Sequence, residues 1–357
     1  MSTVQSTSPI PDPTTENVPD PSTVKSTKNT VSSEVNEKAE PSASLVQAVK
    51  ITKDQEAKLQ TLIQSIPKIL DQLDDKEYDE IFGYRINVAG EEYVNETIRN
   101  EILLKFLIAN EYDVSITITK LVKTLNWRHT FKPLSAAYNE KFDAQLNKLG
   151  VVTYLPREKL DNFKVATWNL YGNVKDPKAL FEHFGGSDSK LPGSTFLRWR
   201  VGLMEDSLSF VDFTDAANHK IAQIHDYNNV SMFRMDKKMK ETTKEIIHIF
   251  GDNYPELLST KFFLNVPSIM SWVFGFFTTI GVISKQTLQK FRPLNHGNLT
   301  EWFTEPLPSA YNGGNSSKIG SIFDLDVAKQ AQIPTYAKVI LEKINKENIE
   351  DLTNDVE

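Results

Sequence analysis

The 357-residue sequence contains no cysteine. That excludes disulfides, thiolate-bound zinc, iron–sulfur clusters and a cysteine nucleophile, and it suits a cytoplasmic protein. Catalytic spellings are missing too: there is no G-x-G-x-x-G, G-x-x-x-x-G-K-[ST], H-E-x-x-H or G-x-S-x-G. The histidines (His129, His183, His219, His225, His248 and His296) lack the spacing of a zinc site. Basic charge is in deficit. Against 47 Asp and Glu there are 40 Lys and Arg, and the net charge of −7 argues against a broad nucleic-acid surface. The first residues show no basic stretch followed by an apolar one, so no signal peptide is expected, and no myristoyl or prenyl signal is present. One long apolar run, 266–283, approaches the length of a membrane span, but Ser, Thr, Gly and Pro interrupt it. A buried or membrane-touching segment is the expectation there. Together these absences favour a binding protein over a hydrolase or a nucleotide-driven enzyme.

What is present reads in four parts. Residues 1–45 are rich in Ser, Thr, Pro, Glu and Asn, and no aromatic precedes Tyr78, which predicts a disordered arm. Order is expected from Thr52, whose pairing with Gln55 spells a capping box. Leu59, Leu62, Ile63 and Ile66 then follow at helical spacing up to Pro67. Further helices are predicted through Ile98–Leu107 and, after Asp113 as N-cap, along Val114, Ile118, Leu121, Val122 and Leu125. Residues 50–132 therefore read as a helical unit. From 138 to 315 the pattern alternates. Strands are predicted at 151–155, 165–170, 221–227 and 261–266, and helices at 178–184, 193–206 and from Asp236. The last of these turns Met239, Thr243, Ile246, Ile247 and Phe250 inward and closes at Gly251. This alternation predicts an α/β fold with a mostly parallel sheet and helices packed on it. Residues 316–357 read as a C-terminal helix and acidic tail.

Several runs carry a resemblance. FLIANEYDVSITITKLVKTLNWR resembles the end of the small helical domain of Sec-fourteen-like (CRAL-TRIO) lipid-transfer proteins, which begins FLRARKFD and closes on W-R. NYPELLSTKFFLNVPSIMSWVFGFF resembles that family's Y-P-E, strand, N-x-P and apolar gating helix, and ISKQT resembles the segment after the gate. IFGYRI, TWNLYG and IHDYNNVSMFRMD are most similar to the fungal Sec-fourteen-homologue-five branch. The resemblance spans residues 50–315. It implies a small helical N-terminal domain on a CRAL-TRIO lipid-binding domain. It also implies a non-enzymatic, non-classical carrier of phosphatidylinositol between membranes. The interrupted apolar run and the lack of an anchor signal lead to the expectation of a cytoplasmic protein peripherally associated with endoplasmic reticulum or microsomal membranes. Trp272, Phe274, Phe276, Phe277 and Ile280 suit a lid that opens at a bilayer. No oligomeric state is assigned.

By the same resemblance the lipid headgroup meets Glu256 in YPE and Lys285 in ISK. One departure stands out: the family's Arg-Lys pair is replaced by Asn110 and Glu111. Two positive charges are lost and one negative charge gained where phosphate recognition leans on charge-assisted contacts.

On a strand, His225 and Tyr227 share a face and Asp226 points away. Polar side chains facing an oily pocket need partners, which a Tyr–His hydrogen bond in the core or a bound group can supply. The branch resemblance implies haem b, with Tyr227 as axial phenolate ligand to the iron and His225 beside it. Propionates then need cations. Arg200 falls on the apolar stripe of Phe196 and Leu203, whereas Arg198, about 200° round the helix, is expected in solvent. Lys261 opens a strand on the same side as Phe263 and Asn265 and can reach a pocket mouth. Tyr171 in TWNLYG completes the carried-over set. Pairing of these cations with Asp or Glu, and a core role for Tyr171, are the plainer alternatives. For the whole chain the alternatives are a lipid carrier without haem, a haem peroxidase or catalase-like enzyme, and a membrane-docking adaptor.

Overall fold

The computed structural model describes residues 44–186, 191–230, 237–266, 285–327 and 330–354. The expected disordered arm lies almost wholly outside these residues, as do Asp236 and the gating run beyond Val266. Packing begins ahead of the predicted start: Val46 and Ala48 are already buried. Their segment is tied down by Glu101, whose Oε1 accepts the backbone N–H groups of Gln47 and Ala48 at 2.5 and 2.7 Å.

Helix α1 (Lys53–Gln64) starts on the capping box of Thr52 and Gln55. Pro67 does not end it. The chain turns at Ser65 into α2 (Ile66–Leu70), and Pro67 occupies the first turn of that helix, where a missing N–H costs nothing. A hairpin of β1 (Glu80–Ile81) and β2 (Tyr84–Arg85) follows. Next come α3 (Glu96–Ala109) and α4 (Val114–Phe131), capped by Asn95 and Asp113, then α5 (Pro133–Tyr138) and α6 (Ala144–Asn147).

The central sheet has the order β3 (Gly150–Tyr154), β4 (Val165–Leu170), β5 (Ile221–Asp226), β6 (Leu258–Leu264), β7 (Phe291–Pro293). The β3–β4 pair is antiparallel and every other pair parallel. The crossovers carry α7 (Pro177–Phe184), α8 (Thr195–Leu208) and α9 (Lys237–Asn253). One sheet face is apolar, with Ala166, Trp168, Leu170, Ala222, Ile224, Phe262 and Leu264 packed under Leu299, Phe303 and Tyr311. The other face, beneath α8, bears Val152, Thr167, Asn169, Gln223 and His225.

Helix α9 runs past Gly251 to Asn253, and it is Thr242 that is buried while Thr243 is exposed. Thr242, Ile246, Ile249 and Phe250 fall at i, i+4, i+7 and i+8, a single stripe that leaves Thr243 one step outside. The chain continues through α10 (Lys285–Gln289) and ends on α11 (Thr335–Asn354), which packs across β1, β2 and α5. Among the described residues no helix is long and apolar enough to cross a membrane.

Candidate functional site

Side chains gather at the carboxyl ends of the parallel strands, where loops of an α/β sheet commonly hold ligands. β4 stops at Leu170, and a single tight turn over Tyr171–Asn173 swings Tyr171 back over the sheet. The Tyr171 hydroxyl lies 3.2 Å from His225 Nδ1, and the Tyr171 and Tyr227 rings are 5.2 Å apart. Phe263 closes the group, 5.6 Å from the His225 ring and 6.4 Å from that of Tyr227. The Tyr227 hydroxyl has no hydrogen-bond partner among the described residues.

Asp226 points the opposite way, as strand alternation requires. Its Oδ1 accepts from the Asn228 N–H at 2.8 Å and from Asn265 Nδ2 at 2.7 Å, and its Oδ2 accepts from the Tyr311 hydroxyl at 2.8 Å. Asn265 therefore does not share a side with Lys261. β6 ends at Leu264, and Asn265 takes a left-handed conformation (φ 57°) that turns its amide to Asp226.

Two cations face the aromatic group. Arg200 is buried, its guanidinium 5.1 Å from the Phe250 ring, and its Nη1 has no hydrogen-bond partner. Lys261 Nζ lies over Phe263 and Phe291, 5.5 and 5.8 Å from the ring centres. Neither has a carboxylate within salt-bridge range among the described residues. Burial, and then repulsion from Arg200, pull the Lys261 ammonium down to about 7. Burial lowers Arg200, with Tyr171 opposing, yet a guanidinium remains protonated. His225 is held neutral by burial and by the cations Lys261 and Arg200. Burial, reinforced by Tyr171, raises the Tyr227 phenol and keeps it protonated. The structure thus brings Tyr171, Arg200, His225, Tyr227 and Lys261 together in a cluster that is short of negative charge among the described residues.

Arg198 is not in solvent. It is 3 % exposed, donates to the carboxylate of Glu140, and reaches the backbone oxygens of Phe131 and Pro192 at 2.8 and 2.9 Å. Helix α8 is sandwiched between the sheet and α5, so both of its sides are interior.

Glu256 lies elsewhere, at the amino end of β6, in a left-handed conformation with φ 51°. Its Oε2 is 3.2 Å from Lys290 Nζ and 4.0 Å from Lys220 Nζ. The Lys285 side chain lies outside the described residues. Sequence reasoning passed over Lys105, which donates to the backbone oxygens of His219 and Glu256 at 3.0 and 3.3 Å. Burial, with Lys220 adding to it, lowers its ammonium to about 7. The signal was available: Lys105 is the one charge in the run ILLKFLI of α3. Asn110 and Glu111 form the turn after α3, Asn110 Nδ2 donating to the Phe106 oxygen at 2.8 Å. Glu111 is exposed with φ 53°.

Comparison with known proteins identifies the family and the fold. The CRAL/TRIO domain family matches residues 170–313. Over 315 residues the chain is 57 % identical to phosphatidylinositol transfer protein SFH5 of Candida albicans, covering 87 % of this chain and 97 % of that one. It is 40 % identical over 280 residues to the protein of the same name from Vanderwaltozyma polyspora, covering 77 % and 90 %. The crystal structure of Sfh5 matches with a TM-score of 0.74 at 33 % identity, over 84 % of this chain and 100 % of that one.

Proposed function

Because this chain belongs to the CRAL/TRIO family, among the fungal phosphatidylinositol transfer proteins named SFH5, we propose that it carries phosphatidylinositol between membranes and that its cavity also holds haem b. It acts as a carrier and not as an enzyme. The observation that supports the haem reading is a pair of cations, the buried Arg200 and the half-buried Lys261, left without a carboxylate among the described residues beside the Tyr171–His225–Tyr227 group. A planar apolar ligand with carboxylates suits that cluster: aromatic faces for its body, and two cations for its acids. Tyr227 offers the phenol oxygen to the iron, His225 and Tyr171 stand beside it, and Arg200 and Lys261 meet the propionates. Haem, when bound, would supply a ferric centre acidic enough to ionise the phenol. The headgroup of the lipid is assigned to Glu256 and Lys285, in a cytoplasmic protein that touches membranes of the endoplasmic reticulum only peripherally.

Three measurements test this. Vesicle assays with labelled headgroups should show transfer of phosphatidylinositol well above phosphatidylcholine, and no phosphatidylinositol transfer would end the carrier reading. Protein made with haem available should contain iron and show tyrosinate charge-transfer absorption. Tyr227→Phe should lose most of that iron while keeping its packing. Stoichiometric iron and an unchanged spectrum in that variant would overturn the ligand assignment. Carbonate should release the protein from microsomes, and retention until detergent is added would contradict peripheral attachment.

A further inference from the structure

Exposed lysines gather at the carboxyl end of the sheet, on segments that play no part in the cluster around His225. Lys148 follows α6, Lys175 precedes α7, Lys178 lies in its first turn, and Lys240 and Lys244 stand on the first half of α9. All five are exposed. The fold places them at one end. β3 pairs antiparallel with β4, so its start, just after Lys148, lies beside the end of β4. The backbone oxygen of Lys148 accepts from Asn173 Nδ2 at 2.7 Å, which ties it to the turn that carries Tyr171. Helix α7 follows that turn. Helix α9 joins two parallel strands, so its first turns stand at the carboxyl end of β5. One apolar cluster underlies all three segments, through Leu149, Val174, Phe181 and Ile246.

This end runs against the charge of the whole chain, which is −7. Lys148, Lys175, Lys240 and Lys244 have no carboxylate in salt-bridge range among the described residues. Lys178 has Glu182 at 3.7 Å, in an exposed pair that adds little. Of the acids nearby, Asp176 accepts the Ala179 N–H as a cap, and Glu241 is the only acid in residues 237–244. Helix stability does not account for the order of charge along α9. Acids favour the first turn of a helix and bases the last, yet α9 has no acid in its first turn and no base in its last. Unpaired cations set against the helix dipole suit an anionic surface outside the chain.

We propose that Lys148, Lys175, Lys178, Lys240 and Lys244 form a docking rim that seats the carboxyl end of the sheet on an anionic bilayer. A bilayer fits better than an acidic protein for two reasons. Lipid exchanged at this end must pass directly into a membrane, and the lysines are spread over three exposed segments, as a broad flat partner requires. The proposal rests on the reading of the chain as a lipid carrier, and it names the surface and the lipid charge by which the carrier docks.

The test is cosedimentation of the purified full chain with vesicles of phosphatidylcholine, alone or mixed with phosphatidylserine. Wild type should prefer the mixed vesicles and be released from them by salt. Each lysine at an anionic surface is worth about a fivefold change in binding. Lys175→Gln, Lys240→Gln and Lys244→Gln together should therefore weaken binding at least about tenfold. The same three positions changed to Arg should bind as wild type. Lys50→Gln, Lys53→Gln and Lys68→Gln together remove equal charge from exposed positions around α1 and α2, and should leave binding near that of wild type. Equal binding of both vesicles by wild type overturns the proposal. So does a rim variant that binds like wild type, or a control that loses as much. A rim variant that loses polyglutamate but holds the mixed vesicles also overturns it, because the lysines would then read an acidic protein. The readout is docking and not transfer. A chain that docks through these lysines yet moves no phosphatidylinositol would end the carrier reading and leave the rim standing.

Discussion

Arg128 is wholly buried between two carboxylates. Its Nε and Nη2 donate to Glu80 at 3.0 and 2.8 Å, and Nη1 donates to Glu205 at 2.7 Å. The hydroxyls of Tyr78 and Tyr254 donate to Glu80 and Glu205 in turn. Breaking such a group by removing one partner strands the others in low dielectric. Arg128→Leu should therefore cost about 3–5 kcal/mol in urea unfolding, and a loss below about 1 kcal/mol would show that the carboxylates find other partners. Asp206 shows the opposite situation, an acid with no cation in salt-bridge range among the described residues. Burial, then Asp326 and Glu205, push its carboxyl up to about 8. The folded state thus holds a proton that the unfolded chain releases near pH 4. Its stabilising effect is complete at low pH and is lost as pH rises through about 8, with a slope of up to about 1.4 kcal/mol per pH unit. Asp206→Asn should flatten that slope and melt higher than wild type at pH 8. An unchanged pH profile would mean that the carboxyl is solvated in the folded protein.

At the level of elements, the caps and four strands of the central sheet are legible in the sequence, whereas the short β1–β2 hairpin and β7 are not. Thr52 with Gln55, and Asp113, act through contacts within four residues, so local sequence specifies them. The common face of His225 and Tyr227 follows from strand alternation in the same way. What could not be read depends on distant partners. Arg198 is interior because α5 covers the outer side of α8, and Asn265 reverses because its amide donates to Asp226, which is itself held by the Tyr311 hydroxyl. Tyr171 joins the site only because a tight turn follows β4, and that turn is set by a close approach. A Cβ on Gly172 would come within 1.8 Å of the Asn228 backbone oxygen, just beyond the end of β5. Gly172→Ala should push the two loops apart, costing about 1–3 kcal/mol as other overpacked sites do. It should also separate the Tyr171 hydroxyl from His225, changing the visible spectrum of protein made with haem. A variant with wild-type melting and spectrum would show that the loops adjust without cost.

Across the whole molecule, the last helix returns to the amino-terminal helical unit, at the β1–β2 hairpin and α5. Its apolar stripe of Tyr336, Ala337, Ile340, Leu341 and Ile344 is buried against Tyr78 and Leu134. Polar contacts fix the register: the Tyr336 hydroxyl donates to Asp79, Lys132 pairs with Glu347 at 2.7 Å, and Asn139 bonds Asn345 at 3.0 Å. The left-handed Gly83 of the hairpin admits Pro334 just ahead of the helix. An acidic C-terminal stretch read along the sequence gives little hint of this, since the partners lie about two hundred positions upstream. Each large apolar side chain buried there contributes about 1.5–3 kcal/mol, so four of them rival the total stability of a typical domain, about 5–15 kcal/mol. The exposed Lys132–Glu347 pair adds little beside that. Ending the chain at residue 330 should consequently abolish cooperative unfolding or lower the melting temperature by more than about 10 °C, with Tyr78 and Leu134 newly exposed to solvent. Ending it at residue 354 should change nothing, because every contact of the stripe is kept. Scanning calorimetry of the two truncated chains beside the full one decides the matter. A sharp transition within about 3 °C of wild type for the shorter chain would show that the helix merely rests on a fold that stands without it.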